Sequence, residues 1–350
     1  MKSVLDVLEK YNLSSVDTQV DGLDFETLVR SIISNGVADS LPQLWNRIVI
    51  AATAELRENV TGICQILVIA VFTALFTNFA SVFADSSVSD TGKKLSRIAA
   101  VTVMAAAYTC TAGIAYDVLA SVTGFIKMLM PAYLSCVALC SGNFSAAAFS
   151  EGVMLAVLVL NYVFSDVVIT GGSIYVMIMA ADAITGGGLD KIAGLIMTVL
   201  KWIIKSSMAA VIGINLIQGM VAPMADGVNR GVLTRAVGLI PGIGGGVSTL
   251  SSVLLGAGAL IKNGMGAASL IVLVTICAAP VAKLAMFTVT YRCVGAFTQP
   301  MCGREFAEMI TGFADAMRLM LSLVASSLAT VFIIICLLYT SDAADERSSV

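Results

Sequence analysis

Between Lys262 and Lys283 the chain reads NGMGAASLIVLVTICAAPVA, from Asn263 to Ala282, without one charged side chain. A helix needs about 20 consecutive apolar residues to cross the roughly 30 Å hydrocarbon layer of a bilayer, and this stretch has that length on its own. Asn59 to Ala84 lies in the same way between Glu58 and Asp85, Ile98 to Tyr116 between Arg97 and Asp117, and Ser206 to Ala225 between Lys205 and Asp226. Composition agrees: 58% of the 350 residues are hydrophobic and 12% are charged, against a usual charged share of roughly a quarter in soluble domains. The expected fold is all-α, a polytopic integral membrane protein with about seven to eight transmembrane helices.

The remaining units follow along the chain. Met128 to Cys140 begins a third crossing, with Pro131 in its first turn, where a missing N–H does little harm. Gly152 to Ala181 is a fourth, interrupted by Asp166 and by Gly171-Gly172. Leu189 to Ala225 reads as one long helix holding the fifth crossing, and Ala236 to Ile261 forms a sixth, glycine-rich unit. Residues 1 to 58 differ, since they carry charge throughout and have no run long enough to span. They read as an extracytoplasmic amphipathic segment, with Phe25, Leu28, Val29, Ile32 and Ile33 at helical spacing and a capping-box pair at Ser40 and Gln43. Met1-Lys2 is followed at once by Asp6 and Glu9, so no signal peptide is read there. The membrane domain is taken as 59 to 335. Residues 336 to 350, containing Tyr339-Thr340-Ser341-Asp342, read as the translation of a sequencing-library adapter rather than native protein. The last crossing would then be cut inside Leu319 to Ile335.

The same counts exclude function classes. There is no histidine, so the commonest general base and the commonest transition-metal ligand are both missing. No metal and no cofactor are expected. Twenty basic residues face 23 acids, with no dense basic run, so nucleic acid is not an expected partner. The eight cysteines include no CxxC pair and read as small buried hydrophobes. No serine, cysteine or carboxylate stands with a base as a nucleophile would require, so no catalytic residue and no enzymatic activity are expected.

Three features can carry function. Thirteen of the 30 glycines fall between Gly213 and Gly266, centred on Gly238-Leu239-Ile240-Pro241-Gly242-Ile243-Gly244-Gly245-Gly246. Pro241, Gly242, Gly244, Gly245 and Gly246 predict one Gly/Pro-broken helix. Such a break either lines a transport path or lets helices pack closely through small residues. Second, Asp166, Lys201 and Lys205 lie inside apolar runs. They form a polar seam along a conduit, or the lysines snorkel to the interface while Asp166 sits at a kink. Third, Phe306, Met309, Ile310, Phe313 and Met317 make an apolar stripe opposite Glu305, Glu308 and Asp315. This stripe predicts an interfacial helix lying on the membrane or docking a cytoplasmic partner.

Orientation follows from the short loops. With the amino end outside, the inner loops hold Lys93, Lys94, Arg97, Arg230, Arg235, Lys283, Arg292, Arg304 and Arg318, while the outer ones hold Lys127, Lys191 and Lys262.

From Met128 onward the order of features resembles the stage III sporulation protein AE family of endospore-forming bacteria. The matching pieces are Met130-Pro131-Ala132, Cys140-Ser141-Gly142, Asn161, Gly227 to Arg235 and Leu239 to Gly244. Leu260-Ile261-Lys262-Asn263, Ala278 to Lys283 and Gln299-Pro300 continue the series. The resemblance implies a membrane subunit of the mother cell-forespore channel complex, required for late forespore gene expression. It also implies other sporulation-channel membrane proteins as partners, beside the lipid bilayer, and a multi-pass place in the mother-cell membrane around the forespore. Members usually begin with a cleaved signal sequence, so the departure at Met1 points to a misassigned start or an incomplete fragment. The family transfers no catalytic motif. A secondary transporter of a small solute is the alternative, and for it a second, paired broken helix would be expected.

Overall fold

The computed structural model describes the backbone of residues 86–141, 155–237, 244–302 and 304–347, together with Val68, Val71 and Gly152. Apart from one turn at 186–189, these residues are helical. Five helices follow in chain order: α1 Ser86–Ser141, α2 Leu155–Thr185, α3 Asp190–Val237, α4 Gly244–Cys302 and α5 Arg304–Arg347. Each contains a stretch long and apolar enough to cross a membrane, namely Arg97–Leu129, Leu155–Thr185, Asp190–Ile217, Gly266–Pro300 and Phe306–Cys336. The expected amphipathic segment at 1–58 and the first unit at 59–84 lie outside the described residues, Val68 and Val71 apart.

Counting uncharged runs divides helices that are continuous. Asp117 and Lys127 separate two expected units, yet both lie on the exposed side of α1, while Ala115, Val118, Leu119, Phe125 and Ile126 between and around them are buried. A single charge on one face of a helix does not end it. Likewise α4 runs through Lys262 and Asn263 without interruption, so that part of the sixth unit and the Asn263 to Ala282 stretch share one helix. Pro280 sits inside α4, where neighbouring helices can accommodate the freed carbonyl.

The largest correction concerns α5. The stripe expected to lie on the membrane surface is the first part of a helix that continues into the final span. Phe306, Met309, Ile310, Phe313 and Met317 are all buried, Phe313 and Met317 completely. The apolar face exists as its spacing predicts, and it packs against protein. α5 contacts all four other described helices. Half of its span is buried, against 22% to 39% in the others, so the core is built around it.

Gly171 and Gly172 bring helices together without breaking α2. A Cβ on Gly171 would stand 2.6 Å from Leu200 Cδ2, and one on Gly172 would meet the Tyr108 hydroxyl and stand 3.0 Å from Met320 Cε. Gly172 therefore marks where α1, α2 and α5 converge. Between α2 and α3 the chain reverses through Gly186, Gly187 and Gly188, all at positive φ. The N–H groups of Gly186 and Gly187 donate to the Asp182 carbonyl at 3.0 Å, and the Leu189 N–H donates to Asp182 Oδ1 at 2.6 Å. One aspartate thus satisfies the end of α2 and the start of α3.

These contacts define an alternating bundle. Tyr108 meets Gly172 toward one end and Thr123 meets Asn161 toward the other, so α1 and α2 are antiparallel. Gly295 against Thr311 and Arg292 against Asp315 set α4 and α5 antiparallel in the same way. The start of α1, the 186–189 turn and the junction of α4 with α5 consequently share one end. Arg97 and Lys191 fall together there, although the loop count assigned them to opposite sides. Merging Ile98 to Tyr116 and Met128 to Cys140 into one helix changes the parity by one crossing.

Candidate functional site

The buried polar groups come first, since in a membrane each must be satisfied by protein. Asn161 Nδ2 donates to Thr123 Oγ1 at 2.7 Å, and Ser327 Oγ donates to Asn161 Oδ1 at 2.9 Å. Thr123 Oγ1 in turn donates to the Leu119 carbonyl at 2.7 Å. The chain of bonds ties α1, α2 and α5 at one depth, a use of polar side chains that suits helix packing in lipid. Tyr175 adds a second tie, its hydroxyl donating to the Gly312 carbonyl at 3.2 Å. Sequence reading noted Asn161 alone, because Thr123 and Ser327 become its partners only through the fold.

Asp166 occupies a special piece of backbone. Within α2 the hydrogen bonding slips to a π-helix over Val163–Ile169, and Asp166 lies at its centre. Such segments are rare and concentrate at functional sites. The carboxylate is exposed and, among the described residues, accepts only a 3.3 Å bond from the neighbouring Ser165 hydroxyl. Lys201 and Lys205 on α3 are exposed too, and among the described residues no ion pair joins either of them to Asp166. The three expected seam residues therefore lie on the outer face of the α2–α3 hairpin.

A further polar group was missed by sequence reading. Arg292 on α4 and Asp315 on α5 form an ion pair at 2.8 Å, both side chains exposed. They line a cleft of about 600 Å³ together with Gln299, Glu308 and Thr311. An exposed pair of this kind adds little stability. Its signal in the sequence is weak, because the two residues meet only when α4 turns back into α5. A smaller cavity of about 310 Å³ between the same helices is lined by apolar groups including Leu273, Val281 and Phe332.

For the Gly/Pro segment, Pro241 and Gly242 lie outside the described residues, and Gly244, Gly245 and Gly246 begin α4. Among the described cysteines Cys277 is buried, whereas Cys110 and Cys293 are exposed, contrary to the expectation of burial. An apolar environment outside the bundle explains the difference, because lipid accepts a thiol as readily as a core does. Among the described residues no three His, Cys, Asp or Glu side chains are grouped to hold a metal ion.

The family model described as Stage III sporulation protein AE matches residues 23–341 of this chain. A protein of Bacillus subtilis (strain 168), named Stage III sporulation protein AE, is 20% identical over 295 residues, spanning 83% of this chain and 74% of that relative. No solved structure matches the chain.

Proposed function

We propose, from the premise that this chain belongs to the stage III sporulation protein AE family, that it is a membrane subunit of the channel complex joining mother cell and forespore during endospore formation. The observation that carries the proposal is the family match along 23–341, over a chain whose described residues form a bundle of membrane-length helices. The bundle interior is filled by one continuous apolar cluster drawn from all five helices. That filling supports a conduit formed between subunits, or along the Gly/Pro segment, rather than through the middle of the described bundle. Arg97, Lys191 and Arg304 at one bundle end support placing that end in the cytoplasm. The full count of seven to eight crossings, the mother-cell membrane as location and other channel proteins as partners belong to the same proposal. No catalytic step is part of it.

Deleting the gene from its own endospore-forming host should abolish a late forespore reporter and reduce heat-resistant spores to background, and an intact copy should restore both. A variant with Gly244→Leu and Gly245→Leu should reach normal membrane levels yet fail to restore the reporter, because leucine at the start of α4 bars close backbone approach. Normal late forespore expression in the deletion strain would contradict the proposal.

A further inference from the structure

Asp166 poses a problem that the described residues do not solve. It stands within the Leu155–Thr185 span, exposed, with one weak contact to its own neighbour. A charge facing lipid is costly and is normally covered by a partner or by water. Lysine can lift its ammonium toward the interface on a long stem, but aspartate has a single methylene and cannot. The π-helical slip over Val163–Ile169 holds the carboxylate on this outer face.

The neighbouring helix supplies the complementary sign. Gly171 packs against Leu200, and α2 and α3 run antiparallel through the 186–189 turn. Asp166 lies five residues before Gly171 and Lys205 five after Leu200, so both are displaced the same way, by roughly 7 Å at the helical rise. Asp166 and Lys205 are therefore level, with Lys201 about one turn away. Copies of one membrane protein insert in the same orientation, so charges can pair between copies only if they lie at equal depth. These do.

We infer that the α2–α3 face is a two-fold interface with a second copy of this chain. In it α2 of each copy lies against α3 of the other, and Asp166 pairs with Lys205 across the contact, with Lys201 in reach. An isologous contact of this kind forms both pairs at once. Exposed Tyr162 on α2 and Trp202 on α3 give the same face large groups to bury. The inference goes beyond the sporulation reading and rests only on the membrane bundle.

Two differently tagged full-length copies, co-expressed and extracted in mild detergent, should co-purify. D166K copies should lose most of that association, and so should copies carrying K201D with K205D, since each puts like charges together at both pairs. Mixing D166K copies with K201D/K205D copies should restore it, because opposite signs then meet at both pairs. Absence of wild-type co-purification, retention by D166K copies, or no recovery in the mixture would each overturn the inference. Since charge variants can fail to accumulate, a second measurement uses a background lacking the eight native cysteines. A D166C copy and a K205C copy should be joined by a short bismaleimide. D166C with F297C should not be joined, as Phe297 is 71% exposed on α4, a helix packed on α1 and α5. No 166–205 product from copies that reach the membrane would overturn the inference as well.

Discussion

Gly172→Leu is expected to remove the folded protein from the membrane, while Gly113→Leu in α1 leaves it at the unsubstituted level. The contrast isolates packing from helix propensity, because both positions are helical glycines and leucine is the better helix former. Around Gly113 nothing lies within 4 Å of a built Cβ. At Gly172 the first added carbon already meets the Tyr108 hydroxyl and approaches Met320 Cε to 3.0 Å. Tyr108 also donates toward the Ile169 carbonyl at 3.5 Å, so moving it away loses a bond between α1 and α2. Overpacking of a filled site costs about 1–3 kcal/mol, and occasionally more. Leucine adds three carbons beyond that Cβ where three helices converge. Membrane level by immunoblot and the thermal aggregation midpoint in detergent both read the effect. Equal behaviour of the two variants would mean that the three helices do not meet at Gly172.

Replacing Gly186, Gly187 and Gly188 together by alanine should be nearly as damaging, through the backbone rather than through space. Their φ values are 93°, 104° and 117°, and no atom crowds any of the three. An L-residue in left-handed backbone costs about 1–2 kcal/mol, so three alanines cost about 3–6 kcal/mol if the turn is kept. If the turn gives way instead, the bonds from Gly186, Gly187 and Leu189 to Asp182 are lost. Gly194→Ala, in α3 with open space around it, is the control and should be neutral or slightly stabilising. A fall in thermal midpoint confined to the triple variant is the expected result. A triple variant as stable as Gly194→Ala would show that the reversal is not built on these glycines.

Much of this fold was legible because a membrane span is a matter of length and charge, and both can be counted. What could not be counted was which side of a helix a charge lies on. Asp117 and Lys127 cut α1 into two units on paper, yet they ride on its exposed face. Helical spacing located the stripe from Phe306 to Met317 but not what covers it, since periodicity defines a face and leaves its partner open. The same limit applied to the candidate site. Asp166, Lys201 and Lys205 stood out as charges in apolar runs, but the Gly171–Leu200 contact that levels Asp166 with Lys205 depends on a turn and a register. Arg292 with Asp315, and Asn161 with Thr123 and Ser327, become neighbours only once α5 is at the centre. Gly171 and Gly172 read as interruptions, whereas both serve close approach inside a continuous helix.

The alternation of α1 to α5 across the bilayer underlies the shared end of Arg97 and Lys191, the equal depth of Asp166 and Lys205, and the packing around α5. A reporter that is active only in the cytoplasm tests it when placed after Arg97 and, in a second fusion, within the turn at Gly187. The bundle predicts that the two fusions behave alike, both active if the basic end faces the cytoplasm. Opposite activities at Arg97 and Gly187 would contradict it.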